Sequence, residues 1–476
     1  MLRSSYLILQ EAQMKNLDLK RKLMNKTKIC TFLVSIPLVG ISAFVQAQQI
    51  APNPNPLNST ITVNGIAENS ENFSNAGNLS IENLGSLSNS GNLVNGIWST
   101  DASNVWNYHG SMTNSGSLIN ANGSSLTTFG YLSSSGILNN SGTLNSGTTD
   151  NHAGYLGNSG ILTNSADGNL TAFAYLGNFA GGNLKNYGSL NIGTLDDHAG
   201  SLDNFGDLTN FGTLSYSGSL YNPGIFTNRG DLTTYATFGS LTNDGALFNQ
   251  GSLATGGWLG NDGSLTNSGT LINTGGIGGI GTYTQTTGQT VINGSFSQAS
   301  IHILGGSISG TSTITGEVTI GDGANINPGN SPGTLTINGD FYSSGNLVFE
   351  IAGLGEYDVL DINGNASFAG GNVEFNFIND FHASINNYWD FFFADTITGM
   401  DSLNFTFNGL GKGLGWDIIH LGNQGERLLI TAVPEPEIYA MLLTGLGLMG
   451  FMVQRRRKNK QPRGKTTGNC KLKTEL

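Results

Sequence analysis

A six-residue unit, Leu-x-Asn-x-Gly-x, recurs through residues 73–275 and limits the possible folds more than any other feature of the chain. In its cleanest form Leu202-Asp203-Asn204-Phe205-Gly206-Asp207 runs straight into Leu208-Thr209-Asn210-Phe211-Gly212-Thr213 and on to Leu214. Six is even, and a strand alternates faces residue by residue, so each leucine returns to the same side of an extended chain. The three- and four-residue spacing of a helix is absent. A longer period lies on top. Segments start at Met112, Leu132, Leu156, Leu176, Leu202, Leu220, Leu241 and Leu259, on average about 21 residues apart and at the shortest 18. Eighteen residues are three hexads, the coil of a three-sided β-solenoid, and longer coils carry loop insertions. Units this short cannot enclose a core alone and must stack.

The stacking makes a column test. Two residues after each start stand Asn114, Ser134, Asn158, Asn178, Asn204, Asn222, Asn243 and Asn261; two further on stand Gly116, Gly136, Gly160, Ala180, Gly206, Gly224, Gly245 and Gly263. Stacked asparagine amides are expected to hydrogen-bond up the ladder. The glycines are expected to make the bends through positive φ. About ten coils would give a rod near 50 Å long. The expectation is an all-β, repetitive parallel β-solenoid (β-helix) over residues 57–282.

Charge is unevenly placed. The net charge of −12 combines a body, residues 48–433, with 27 acidic against four basic residues (−23), and two basic ends. The body's basic residues are Lys185, Arg229, Lys412 and Arg427. Such a surface repels nucleic acid, so no nucleic-acid partner is expected. Both cysteines, Cys30 and Cys470, lie outside the body, which excludes a disulfide framework or a zinc-thiolate site within it.

The basic ends flank two apolar segments. Met24-Asn25-Lys26-Thr27-Lys28 precedes the apolar run 29–45, and Val45-Gln46-Ala47 offers small residues for cleavage after Ala47. Residues 1–47 therefore read as a signal region, with an N-terminal signal helix, Met14 or Met24 as the expected start, and the secretion translocon as a partner. At the other end Val433, Pro434, Glu435 and Pro436 precede a Leu- and Gly-rich run, 438–453, and the basic cluster Arg455, Arg456, Arg457 and Lys458. Sixteen residues of helix reach about 24 Å, somewhat less than a bilayer core. With snorkelling arginines a single C-terminal transmembrane helix is expected, its basic end cytoplasmic. Proline ends helices, so the Pro-Glu-Pro stretch is expected to be extended and accessible.

This tripartite end, residues 433–458, closely resembles the PEP-CTERM sorting signal of Gram-negative bacteria, a tail also labelled an ice-binding protein C-terminal domain. The resemblance implies an exosortase-type processing enzyme as partner and processing near Pro434, Glu435 and Pro436. It also implies residence at the inner membrane before processing, then release to the cell surface or extracellular matrix, with exopolysaccharide or biofilm as the setting. The family's tails stop soon after the basic cluster, whereas here a basic tail, 459–476, follows.

From Tyr283 the hexad fades. Pro328-Gly329-Asn330-Ser331-Pro332-Gly333-Thr334-Leu335 resembles a segment found late in autotransporter passengers and adhesin-like solenoids, which implies more solenoid across the second β region, 283–432. Alternation at Leu347, Phe349 and Ile351, and at Val373, Phe375 and Phe377, marks half-buried strands. The apolar patch Trp389-Asp390-Phe391-Phe392-Phe393 reads as a β-rich C-terminal cap over the last coil.

Candidate chemistry is sparse. His109, His152 and His198 recur at similar offsets, with Asp150, Asp196 and Asp197 beside the last two. His152 and His198 lie about two coils apart, about 9–10 Å along the axis, too far for one metal ion. Neither His-Glu-x-x-His nor a P-loop is present, and the nonapeptide of calcium-binding β-rolls is missing. No metal, cofactor or catalytic residue is assigned, and no enzyme is expected. The function expected is an exported structural or adhesin-like envelope protein. The alternatives are a carbohydrate-active β-helix enzyme, which would need clustered carboxylates, and an ice- or calcium-binding surface protein.

Overall fold

One coil shows how the hexad becomes structure. Ser201–Asn204, Asp207–Asn210 and Thr213–Tyr216 are four-residue strands, joined by the two-residue corners Phe205-Gly206 and Phe211-Gly212. In each strand the second and fourth residues point inward and are buried. The next coil repeats this in parallel register, pairing Leu202 with Leu220, Leu208 with Phe226 and Leu214 with Leu232. Each buried leucine contributes about 1.5–3 kcal/mol, and the inward set returns at every coil.

This computed structural model describes residues 48–54, 59–75, 78–81, 86–90, 92–95, 97–100, 106–109, 111–147, 154–194, 199–234, 239–329, 332–422, 424–433 and 436–458. Within them the chain winds as a parallel, three-sided β-solenoid. The third face is a 16-stranded ladder running from Asn72–Asn75 to Asn404–Asn408. At about 4.8 Å per strand it is about 70 Å long, longer than expected because the coils continue past the hexads without a break. The other two faces join into one 31-stranded sheet. They fuse because Phe296–Ile303, Thr313–Ile320, Val359–Phe368 and Tyr388–Thr398 each bend through the first corner and serve both faces.

The extra residues of the longer coils are insertions at corners, as the spacing implied. Most interrupt the third corner, between the third face and the first face of the next coil. An antiparallel hairpin, Ile97–Thr100 with Trp106–His109, stands there, and at the same corner the spacing from Thr143–Ser146 to Tyr155–Asn158 and from Ser189–Ile192 to Ser201–Asn204 exceeds two residues. Smaller insertions bend the second corner at 121–124 and 165–168 and the first at 179–182.

The corner glycines correct the sequence reading. Gly206, Gly212, Gly230, Gly251 and Gly269 are not among the positive-φ residues. Glycine is required by approach: a Cβ on Gly212 would lie 2.1 Å from the Gly188 carbonyl oxygen of the coil below, and one on Gly230 2.0 Å from that of Gly212. At the glycine of each such corner backbone stacks on backbone with no room for a side chain. Ala180 leaves the column for the same reason. The Cβ of Gly206 would meet the Gly182 oxygen at 2.3 Å, so Gly182 holds that place and Ala180 sits in the inserted turn.

Parallel winding ends at Tyr388–Thr398 on the first two faces and at Asn404–Asn408 on the third. The first of these strands is flanked by a hairpin: it pairs antiparallel with Gly425–Ala432, which pairs antiparallel with Leu414–His420. On the strand beside the hairpin Trp389, Phe391 and Phe392 are buried, and the Trp389 indole N–H donates to the Gly353 carbonyl at 2.9 Å.

The C-terminal helix spans Pro436–Lys458. Here the expectation of a transmembrane helix is corrected: among the described residues no helix is long and apolar enough to cross a membrane. Only sixteen residues separate Glu437 from Gln454, and Thr444, Gly445, Gly447 and Gly450 dilute their hydropathy. The signal helix, Ala47, and the tail 459–476 lie outside the described residues.

Candidate functional site

The sorting segment begins where the solenoid's last strand ends. Val433 follows Gly425–Ala432 and is exposed. Pro434 and Glu435 lie outside the described residues. Pro436 is not extended, as the sequence suggested, but is the first residue of the helix. Its fixed φ suits a first helical turn, where the missing N–H has no partner to lose. From Met441 to Val453 the large apolar side chains of the helix are exposed. Arg455 and Arg456 are exposed in its final turn, and Arg457 and Lys458 complete the helical backbone. Basic groups there complement the negative end of the helix dipole. The arrangement is an apolar rod with a cationic end, linked to the solenoid by a short proline-containing segment.

Inside the solenoid, two columns of buried asparagine run along the first and second corners. In the second, Asn69, Asn89, Asn120, Asn140, Asn164, Asn186, Asn210, Asn228, Asn249 and Asn267 form an unbroken ladder, each Nδ2 donating to the Oδ1 of the next at 2.7–2.9 Å. The second N–H is used as well: Asn186 donates to the Thr213 carbonyl at 2.8 Å. In the first column the same chain runs from Asn158 through Asn178, Asn204, Asn222 and Asn243 to Asn261. Buried amides that are satisfied and aligned polarise one another, whereas an unpaired one is costly. These asparagines are structural; none faces solvent.

Outside, the first face carries an aromatic column. Tyr131, Tyr155 and Tyr175 follow one another at centroid distances of 5.3 and 4.9 Å, the first pair tilted by 54° and the second stacked. Two residues after Tyr155 and Tyr175 stand Gly157 and Gly177, where a Cβ would lie 3.0 and 2.9 Å from the Tyr155 and Tyr175 rings. The Tyr155 and Tyr175 rings therefore lean across the strand into space that only glycine leaves. Tyr175 donates to Asp203 at 2.9 Å and Tyr221 to Asp244 at 2.8 Å. Burial, then the Asp203 hydrogen bond, push the Tyr175 hydroxyl above the ordinary phenol range; for Tyr221 the bond to Asp244 is the main cause. Both stay neutral donors. At the second corner Tyr187 and Phe211 stack at 4.6 Å, and the Arg229 guanidinium lies 5.4 Å from the Phe211 centroid.

The histidine candidates do not assemble into a described site. His109 closes the strand Trp106–His109, while His152, His198, Asp150, Asp196 and Asp197 lie outside the described residues. Among the described residues no group of three or more His, Cys, Asp or Glu is placed to hold a metal ion.

Sequence reasoning missed the ion pairs of the terminal hairpin. His420 Nδ1 lies 2.7 Å from Glu426 Oε2, and Arg427 binds Asp390 through Nε at 2.5 Å and Nη2 at 3.0 Å. Both pairs are cross-strand neighbours in antiparallel register, a register that no periodicity announces. The Glu426 bond, then its charge, raise the His420 pKa, and burial raises that of Glu426.

Compared with known protein families, the chain matches the PEP-CTERM protein-sorting motif over residues 432–458. No curated protein matches it. The matched motif is that of a secreted protein, anchored at the membrane and sorted to the cell surface by an exosortase.

Proposed function

We propose that this exported, exosortase-sorted protein is a structural, adhesin-like component of the cell envelope or extracellular matrix of a Gram-negative bacterium. It works beside exopolysaccharide in a biofilm setting and has no catalytic role. The observation that carries the reading is a sorting motif at 432–458 joined directly to a long, repetitive β-solenoid. A solenoid of this kind repeats the same outer surface at every coil. Weak hydrogen-bonding and stacking contacts to a repetitive polymer then add along its length, so retention comes from many sites rather than one pocket. The translocon delivers the chain across the inner membrane, the tail holds it there, and processing near Pro434, Glu435 and Pro436 releases it. Anchoring rests on recognition of the motif rather than on the hydropathy of the helix.

Deleting 433–458 and fractionating cells tests the sorting step. The expected result is loss of the protein from the cell surface; unchanged placement sinks the reading. Incubating the protein with the producing organism's exopolysaccharide tests the role. Retention without breakdown is expected, and release of shortened chains would instead favour a carbohydrate-active enzyme.

A further inference from the structure

We propose that the first face of the solenoid is a binding platform for an uncharged polysaccharide chain, centred on Trp258. The inference rests on the matrix reading above only for the source of the glycan; its geometry stands alone.

Trp258 is about half exposed, unlike the buried Trp389. It lies over three glycines. A Cβ on Gly278 would meet the indole Cζ2 at 2.2 Å, one on Gly276 the Cζ3 at 3.1 Å, and one on Gly260 the Nε1 at 3.4 Å. Gly276 and Gly278, on the adjacent coil, are buried although they stand on the outer side of the sheet. The indole covers them, so one ring face rests on bare backbone and the other is turned to solvent. No packing need of the core explains a large ring there, and the glycine bed is what keeps it flat.

The surroundings select the ligand. Register places Trp258 in the same outward column as Ser240, Ser219, Ser201 and Tyr175. Four strand spacings, about 19 Å, therefore separate the indole from the tyrosine stack. Between the two aromatic stations lie hydroxyl groups and the acceptors Asp203 and Asp244, each bound to a tyrosine. A flat aromatic face attracts the C–H face of a pyranose ring, whose hydrogens carry partial positive charge, while the sugar hydroxyls find donors and acceptors alongside. The spacing of successive coils is close to the advance of one pyranose along an extended chain, so a polymer laid parallel to the axis stays in step. The excess of 27 acidic over four basic residues in the body opposes a polyanion, which makes the favoured glycan neutral.

Affinity electrophoresis of the full chain through a soluble neutral glucan, with a polyuronate as the charged counterpart, tests this. Wild type should be retarded by the glucan and not by the polyuronate. Trp258→Ala should weaken retardation about tenfold, and Trp258→Tyr should keep part of it. Gly278→Ala leaves the tryptophan in place but lifts the ring, and should also weaken binding. Unchanged β-sheet circular dichroism in these variants separates binding from folding. Retardation that survives both Trp258→Ala and Gly278→Ala overturns the platform and leaves the matrix reading intact. Failure of wild type to bind any polysaccharide, exopolysaccharide included, overturns the matrix reading as well. Preference for the polyuronate, or self-association of the chain that depends on Trp258, overturns the inference.

Discussion

At the residue scale the asparagine columns carry the most physical information. Their spacing was legible in the sequence, and the structure turns it into a chain of amides that all donate in the same sense. The one irregular member, Ser134, was legible too, but its cost was not. Asn114 donates to the Ser134 hydroxyl at 3.0 Å, yet the Oδ1 of Asn158 on the next coil is buried without a hydrogen-bond partner. A serine is too short to bridge two coils. Ser134→Asn should join Asn114 to the ladder that starts at Asn158 and raise stability by about 1 kcal/mol, read as a higher denaturant midpoint at unchanged slope. A lower midpoint would show that the site cannot accept the longer side chain. The glycines teach the opposite lesson. Their positions were plain, but the reason assigned to them was wrong, because a one-dimensional pattern does not show that corners of adjacent coils lie one upon another.

At the element scale the strands of the hexad region followed directly from alternation, and so did their inward residues. The corners beyond residue 283 did not, because a bent strand and a two-residue turn differ little in local composition. One such corner is fastened by Asp358. Its carboxylate is buried and accepts from the Gly333 N–H at 2.7 Å and the Glu350 N–H at 2.8 Å, tying the loop before Val359–Phe368 to the coil below. Burial pushes this acid up from 3.8 to about 6, against the two donors, which favour the charged form. The folded protein thus keeps this proton to higher pH than the unfolded chain does. The contribution of Asp358 to stability is full below about pH 4 and is lost as pH rises through about 6. Denaturation midpoints measured across that window should fall with pH in wild type and fall less in Asp358→Asn. Equal slopes in the two proteins would remove the assignment.

At the scale of the whole molecule each coil pairs only with the coil before and the coil after it, so stability is close to a sum over neighbours. Removing residues 207–224 joins Gly206 to Ile225, which already stands opposite Asp207 in register. That eighteen-residue deletion should leave a shorter solenoid with the same β-sheet signal per residue. Deleting only 207–215 turns inward side chains outward and should abolish folding. The sorting tail was read from the sequence because its recognition is linear. The platform around Trp258 was not, because its glycine bed comes partly from another coil and emerges only once the register is known.

The common direction of the amide ladders has a consequence for biogenesis. In every Asn-to-Asn step of the two buried columns the earlier coil gives the hydrogen and the later coil takes it. A segment that has just wound up therefore offers unmet N–H groups on the side where the nascent chain will arrive. Translation and export both deliver the chain from its amino end, so growth and templating point the same way. Since each addition closes a gap of one coil only, the time to add it does not lengthen as the structure grows.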